Sequence, residues 1–180
     1  ISLHMLDSNN EKNSEYDRRL TAQLYGGNPE MRLQQEIILG IGGVKLLDAL
    51  GIEVTVVHMN EGHSAFTPFE RARVLMKKNG LNFAEAMELV RQSSVFTTHT
   101  NVEAAHDVFS PDLLKSYFGN YLREFNIPLH DFMACGRVHP ESSQENFSMT
   151  VAAVKNSAFV NGVSTLHAEV SRALLQDLWP

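Results

Sequence analysis

Hydrophobic residues along the chain follow two patterns that alternate with each other. Short runs rich in β-branched residues are typical of buried strands, and longer stretches with apolar residues at helical spacing are typical of amphipathic helices. The predicted strands lie at residues 1–6, 53–59, 94–98 and 159–163. The predicted helices lie at residues 14–24, 29–51, 64–78, 82–91, 110–125, 148–157 and from 164 onward, with a short helix near residue 131. Because strands separated by helices pair through right-handed crossovers, the sequence predicts an α/β fold with a parallel sheet and helices on both of its faces.

Capping signals and loop composition bear on how the chain is divided. Asn28 precedes a proline at the first helical position, and Asn82 is followed three residues later by Glu85, which is the pattern of a capping box. The most loop-like segment, 136–147, is too short to mark a domain boundary. We therefore expect a single domain over residues 1–180.

Composition narrows the class of protein. The 180 residues are 43% hydrophobic and 20% charged, which is typical of a globular domain with a real core. The net charge of -6 and the scattered lysines and arginines argue against nucleic acid as a partner. The single cysteine, Cys135, excludes an internal disulfide and favours a reducing cytoplasm as the compartment. No apolar run has the length of a membrane span, and the start at Ile1 predicts a fragment rather than a signal peptide.

Polar residues follow three of the predicted strands where each strand ends. The segment 58–66 (HMNEGHSAF), residues 98–101 (THTN) and the pair Ser164 and His167 occupy these positions. The carboxyl ends of parallel strands form the usual ligand crevice of such folds, and mixed donors and acceptors suit sugar hydroxyls. The alternative is structural, because Glu61 could cap the next helix and a histidine could satisfy a carbonyl.

Three other kinds of site are less favoured. A hydrolase-type metal site would need several histidines and one acid to converge. These candidates are His58, His63, His99, His106 and Asp107. His58 and His63 are five residues apart, whereas the two histidines of a zinc-binding helix are four apart. The glycines at 40–43 lie inside a helical pattern, which predicts helix packing and not a phosphate-binding loop. Cys135 lies in an apolar helix and is interpreted as a buried structural thiol.

Four long segments together resemble the α-glucan (glycogen, starch or maltodextrin) phosphorylases of bacterial type. They are 25–52 (YGGNPEMRLQQEIILGIGGVKLLDALGI), 58–66 (HMNEGHSAF), 93–100 with 106–109 (SSVFTTHT, HDVF) and 160–172 (VNGVSTLHAEVSR). They occur in the order of that family and cover essentially the whole chain. The resemblance implies a fragment of the N-terminal Rossmann-like half of a two-domain glycosyltransferase of GT-B type.

The resemblance also implies an activity for the parent protein. Such enzymes use orthophosphate to cleave the terminal α-1,4-linked glucose of a glucan, and they release glucose 1-phosphate. Pyridoxal phosphate is held by a lysine of the C-terminal half, which is missing here, and the parent is expected to be a cytoplasmic homodimer. None of the six lysines lies in a segment resembling that motif, so we expect no cofactor on this chain and no phosphorolysis by the chain alone.

The resemblance assigns roles to particular residues. His99 matches the histidine that hydrogen-bonds the sugar in the catalytic cleft. Asn60, Glu61 and His63 match the segment bordering the cavity beside that sugar, with Glu61 as an acceptor through water. His99 and His63 are therefore expected on one glucose-facing wall. His167 matches a stretch with a packing or hinge role.

Two departures from the family pattern affect these expectations. Residues 101–105 lack two prolines and a glycine that the family usually has after the histidine, so this loop is expected to be less preorganised. Ala168 stands where glycine is common. Two functions from other classes stay open, a stand-alone carbohydrate-binding or regulatory module and a metal-dependent hydrolase.

Overall fold

A three-stranded parallel sheet forms the centre of the computed structural model, which describes residues 2–24, 27–100 and 106–178. Its strands are β1 (Val57–Asn60), β2 (Ser94–Thr98) and β5 (Phe159–Gly162), in the order β1-β2-β5. Two further strands, β3 (Val108–Phe109) and β4 (Phe147–Ser148), form a short antiparallel pair. The parallel sheet confirms the predicted α/β class.

Helices connect the strands and lie against the sheet. They are α1 (Pro29–Ile37), α2 (Gly43–Ala49), α3 (Thr67–Asn79), α4 (Phe83–Gln92), α5 (Pro111–Phe125), α6 (Leu129–Ala134), α7 (Met149–Lys155) and α8 (Thr165–Leu174). The cap predicted at Asn28 is confirmed, because its side chain accepts a backbone N–H group at the start of α1. The side chains of Ser110 and Ser164 do the same at the starts of α5 and α8. Asn82 and Glu85 form a complete capping box. None of the described helices combines the length and the apolar character needed to cross a lipid bilayer.

A π-helical turn, Ile38–Gly42, joins α1 to α2 inside the long predicted helix. Gly40 in this turn lies against the start of α3. A β-carbon added at Gly40 would come within 2.8 Å of Phe66 Cβ and 3.0 Å of the Thr67 backbone nitrogen. Gly40 therefore serves close helix packing, as predicted for this run, whereas a β-carbon at Gly43 would meet no atom within 4 Å.

Three predicted elements differ from the structure. Residues 2–10 form no strand, and Leu3 and Met5 are more than four-fifths exposed. The alternation of apolar and polar residues there is not enough to form a strand, because a strand also needs a neighbouring strand to satisfy its backbone N–H and C=O groups. The helix predicted at 14–24 is only a 3-10 turn, Asp17–Arg19, because Leu20 is its one buried apolar residue. Strand pairing of 53–59 begins only at residue 57.

Phenylalanine rings fill the core beside the sheet. Successive rings in this cluster have centroids 4.9 to 6.3 Å apart, which is the usual range for aromatic pairs. Its members are Phe66, Phe69, Phe118, Phe132 and Phe147, all nearly or fully buried. Phe66 comes directly after the polar segment that follows β1. The core therefore anchors one end of that segment.

Candidate functional site

The turn after β1 is fixed tightly to its neighbours. The backbone N–H of Glu61 donates to the Thr97 carbonyl on β2 at 3.0 Å. Gly62 is buried, and a β-carbon added there would lie 3.3 Å from both Met149 Cβ and the Thr150 nitrogen at the start of α7. This packing leaves the polar side chains of the turn at the carboxyl edge of the sheet.

Asn60, Glu61 and His99 meet at this edge. The Nε2 atom of His99 lies 2.5 Å from Asn60 Oδ1. The carboxylate of Glu61 accepts the backbone N–H of His99 and, at 2.7 Å, that of Thr100. These contacts join the turn after β1 to the turn after β2. The rings and amides of His99 and Asn60 are exposed, so this edge is open to a ligand.

A hydrogen-bonded row crosses all three strands just below this edge. His58 Nε2 lies 2.6 Å from Thr97 Oγ1, and that hydroxyl donates to Asn161 Oδ1 at 2.9 Å. Thr97 pairs directly with Asn161 in the β2–β5 register. The sequence pattern alone did not indicate Thr97 and Asn161, because their contact depends on β2 and β5 being neighbours in the sheet. His58 therefore acts within the sheet and is not brought to His99.

A cavity of about 540 Å³ opens beside the ends of β2 and β5. Its lining combines hydroxyl, amide and guanidinium groups, at Thr98, Asn161, Ser164 and Arg172, with apolar side chains such as Val160 and Leu175. His167 lies in the first turn of α8, where its backbone N–H donates to the capping Ser164 Oγ at 3.2 Å and its Nδ1 lies 3.1 Å from Ser171 Oγ.

His63 belongs to a second polar cluster, together with Arg32, Glu36 and Asp107. Its Nδ1 atom lies 3.4 Å from Asp107 Oδ2 and 3.6 Å from Glu36 Oε1. Arg32 binds Asp107 through two nitrogens, at 2.6 and 3.3 Å, and reaches Glu36 at 3.3 Å. The structure thus brings His99 to Asn60 and Glu61, and it places His63 with a different set of partners.

Charge within the second cluster is set by burial and by these hydrogen bonds. Burial raises the pKa of Glu36 to about 8, because its carboxylate is almost completely removed from water. Hydrogen bonds to Asp107 and then to Glu36 raise the pKa of His63 to about 9. Burial would raise the pKa of Asp107, but hydrogen bonds from His63 and Arg32 outweigh it and hold that pKa well below its usual range. Asp107 is therefore the ionised partner of Arg32.

The same cluster tests the metal hypothesis. Among the residues that the structure describes, Glu36, His63 and Asp107 are the group with ligand atoms close enough to share a cation, within 4.8 Å of one another. Arg32 already places a guanidinium nitrogen against all three side chains, at 2.6 to 3.3 Å. A permanent cation at that point repels a metal ion, so the geometry disfavours a hydrolase site. The convergence of His58 and His99 on this group that a hydrolase site would need does not occur, because each is bonded elsewhere.

Cys135 does not have the environment of a nucleophile. Burial raises the pKa of its thiol to about 11, and Sγ donates to the Asp131 carbonyl at 3.5 Å. This supports the structural interpretation of the thiol. The unusual loop at 101–105 lies outside the described residues.

Comparison with known proteins identifies the family. A family model described as carbohydrate phosphorylase matches residues 45–179. The chain is 39% identical to the maltodextrin phosphorylase of Thermococcus litoralis and 37% identical to the glycogen phosphorylase of Mycobacterium tuberculosis, with 99% of the chain aligned in each. It is 34% identical to the glycogen phosphorylase of Aquifex aeolicus over 94% of the chain. The alignments cover 21%, 22% and 24% of these relatives, so the chain spans between a fifth and a quarter of their length. The chain belongs to the carbohydrate phosphorylase family.

Proposed function

We propose that the full-length protein containing this chain is an α-glucan phosphorylase. It transfers the terminal α-1,4-linked glucose of a glucan to orthophosphate and releases glucose 1-phosphate. This chain supplies part of the N-terminal Rossmann-like half of the GT-B fold and one wall of the sugar site. Family membership and the phosphorylase names of the relatives support this proposal.

One observation carries the proposed site, namely the contact between His99 and Asn60 at the carboxyl edge of the sheet. Asn60 Oδ1 is an acceptor, so Nε2 of His99 carries the proton. In the neutral ring Nδ1 is then the acceptor, which suits a sugar hydroxyl. His99 is exposed, and the residue before it, Thr98, lines the cavity at the ends of β2 and β5. His99 is the catalytic and sugar-binding residue of this proposal, with Asn60 beside it.

His63 and its partners form the neighbouring part of the proposed wall. A pocket of about 260 Å³ is lined by His63, Arg32, Glu36 and apolar residues that include Leu20 and Leu24. The cluster would border the bound glucan and keep the turn after β1 rigid. Its distinct partners argue for a supporting position of His63 beside the sugar.

The lysines of this chain do not fit a pyridoxal phosphate site. Five of the six lysines are exposed. The sixth, Lys155, donates to the carbonyls of Ala134 and Arg137 at 3.2 and 2.6 Å, and burial lowers its pKa. We propose that the cofactor is held by a lysine elsewhere in the full-length protein. The homodimer and the cytoplasmic location stay predictions.

A stand-alone carbohydrate-binding module is the second candidate, because the exposed polar edge at Asn60 and His99 would also suit sugar binding without catalysis. The reading frame of the gene separates the two, because a phosphorylase continues into a segment with the cofactor lysine.

The test uses the full-length protein incubated with maltodextrin and orthophosphate. We expect glucose 1-phosphate to form, and we expect His99→Ala to lower kcat/KM by roughly 10- to 100-fold, since a buried sugar hydroxyl loses its partner. A full-length protein without phosphorolytic activity would refute the function. A His99→Ala variant with unchanged kcat/KM would refute the site.

A further inference from the structure

Glu61 has a backbone conformation that side chains rarely adopt. Its φ is 69° and its ψ is 169°, a region populated almost only by glycine. Asn126 is the other described residue besides glycine with positive φ, and it caps α5 in the ordinary left-handed region. Strain of this kind persists only where the surroundings over-determine it.

Two contacts fix the chain on either side of Glu61. Its N–H donates to the Thr97 carbonyl, which continues the β1–β2 pairing by one residue. The next residue, Gly62, lies so close to the start of α7 that an added β-carbon would come within 3.3 Å of Met149 Cβ and of the Thr150 nitrogen. Because β1 and α7 fix both ends of the peptide, residue 61 has to turn sharply between them.

The strained turn directs the Glu61 side chain toward the end of β2. One carboxylate oxygen, Oε1, accepts the backbone N–H groups of both His99 and Thr100. These two amides follow the last residue of β2, so strand pairing does not satisfy them. A carboxylate that accepts two backbone amides makes charge-assisted hydrogen bonds, which are about twice as strong as neutral ones.

We propose that Glu61 is a positioning residue, a carboxylate clamp that fixes the backbone of His99 and Thr100 so that the His99 ring faces the sugar. This rests on the function proposed above, and it gives Oε1 of Glu61 a role other than the expected contact to the sugar through water. Glu61 Oε1 accepts the two backbone amides, whereas Asn60 Oδ1 contacts the ring of His99 at Nε2. Asn60 and Glu61 thus hold the ring and the backbone of the same residue.

The experiment compares variants of the full-length phosphorylase. Glu61→Ala removes the carboxylate and keeps the backbone strain. Glu61→Gly removes both, and because glycine adopts this φ without strain, a loss of activity in this variant does not come from impaired folding. Glu61→Gln keeps an acceptor oxygen. Glu88→Ala is the control for losing a carboxylate, because among the described residues Glu88 pairs with Arg91 and Gln92 on the surface of α4.

We expect Glu61→Ala and Glu61→Gly each to lower kcat/KM by about 10- to 100-fold, with the same division between kcat and KM as His99→Ala. Glu61→Gln should recover at least about 5-fold over Glu61→Ala. In the double variant with His99→Ala, Glu61→Ala should add less than about 3-fold, since the clamp acts through His99.

Two results would overturn the clamp while leaving the proposed site intact. One is wild-type kcat/KM in Glu61→Gly alongside an impaired His99→Ala. The other is a full multiplicative loss in the double variant, which would mean that Glu61 contacts the sugar independently. If His99→Ala itself has wild-type activity, the proposed site and the clamp are both wrong.

Discussion

Arg32 on α1 and Asp107 before β3, 75 positions apart in sequence, are joined by two hydrogen bonds of 2.6 and 3.3 Å. Their side chains are 14% and 23% exposed, so the pair is largely withdrawn from water. Glu36 and His63 complete the cluster around them. This cluster connects α1, the turn after β1 and the segment before β3.

Removing the charge of Asp107 should destabilise the full-length protein. Asp107→Asn leaves the Arg32 guanidinium without its ionised partner in a low-dielectric setting, and we expect a loss of about 2 to 4 kcal/mol in the free energy of unfolding. Asp48→Asn is the matched control, since Asp48 and Lys78 are more than half exposed, and it should cost less than about 1 kcal/mol. Denaturant unfolding of both variants measures the difference. Equal losses would contradict a structural role for the buried pair.

Stability should fall with increasing pH because of Glu36. Its pKa rises from 4.5 to about 8 on folding, so between these values the folded state binds more protons than the unfolded state. Linkage then lowers the free energy of unfolding as pH rises, by roughly 1 kcal/mol per pH unit. His63, raised from 6.5 to about 9, adds a decline of the same sign over its own window.

The Glu36→Gln variant isolates this effect, because glutamine does not titrate. Urea unfolding at several pH values between 5 and 8.5 should show that wild type loses stability relative to Glu36→Gln as pH rises. A difference that is independent of pH, or one that grows in favour of wild type, would contradict the raised pKa.

Two glycines of the α1–α2 region offer a matched test of packing. Gly40→Ala would push a methyl group against Phe66 and Thr67, and we expect a loss of about 1 to 3 kcal/mol in unfolding free energy. Gly43→Ala meets no atom within 4 Å and should be neutral or stabilising by up to about 1 kcal/mol through helix propensity. Similar effects at both positions would show that the close contact at Gly40 is absent.

The 180-residue chain alone should not catalyse phosphorolysis. Its lysines are exposed or, at Lys155, bound to carbonyls, so added pyridoxal phosphate finds no suitable site. The assay is glucose 1-phosphate formation from maltodextrin and orthophosphate, with the full-length protein as positive control. Detectable product from the isolated chain would contradict this expectation.

Local patterns in the sequence were sufficient for most helices and for β2. The capping box at Asn82 and Glu85 and the cap at Ser110 act within one helical turn, so their geometry does not depend on the rest of the fold. The rule that parallel strands gather their carboxyl ends at one edge also predicted that Asn60 and His99 would come close together.

The sequence by itself determined the α/β class, the helix boundaries set by caps, and the edge at which the polar residues collect, because all three follow from short-range periodicity and chain direction. Only the tertiary structure decided that residues 2–10 form no strand, that His63 joins Arg32 and Asp107, and that Glu61 accepts the backbone amides after β2. Those outcomes depend on which elements become neighbours in space. A side chain of given chemistry bonds whichever partner the packing of distant segments brings within reach.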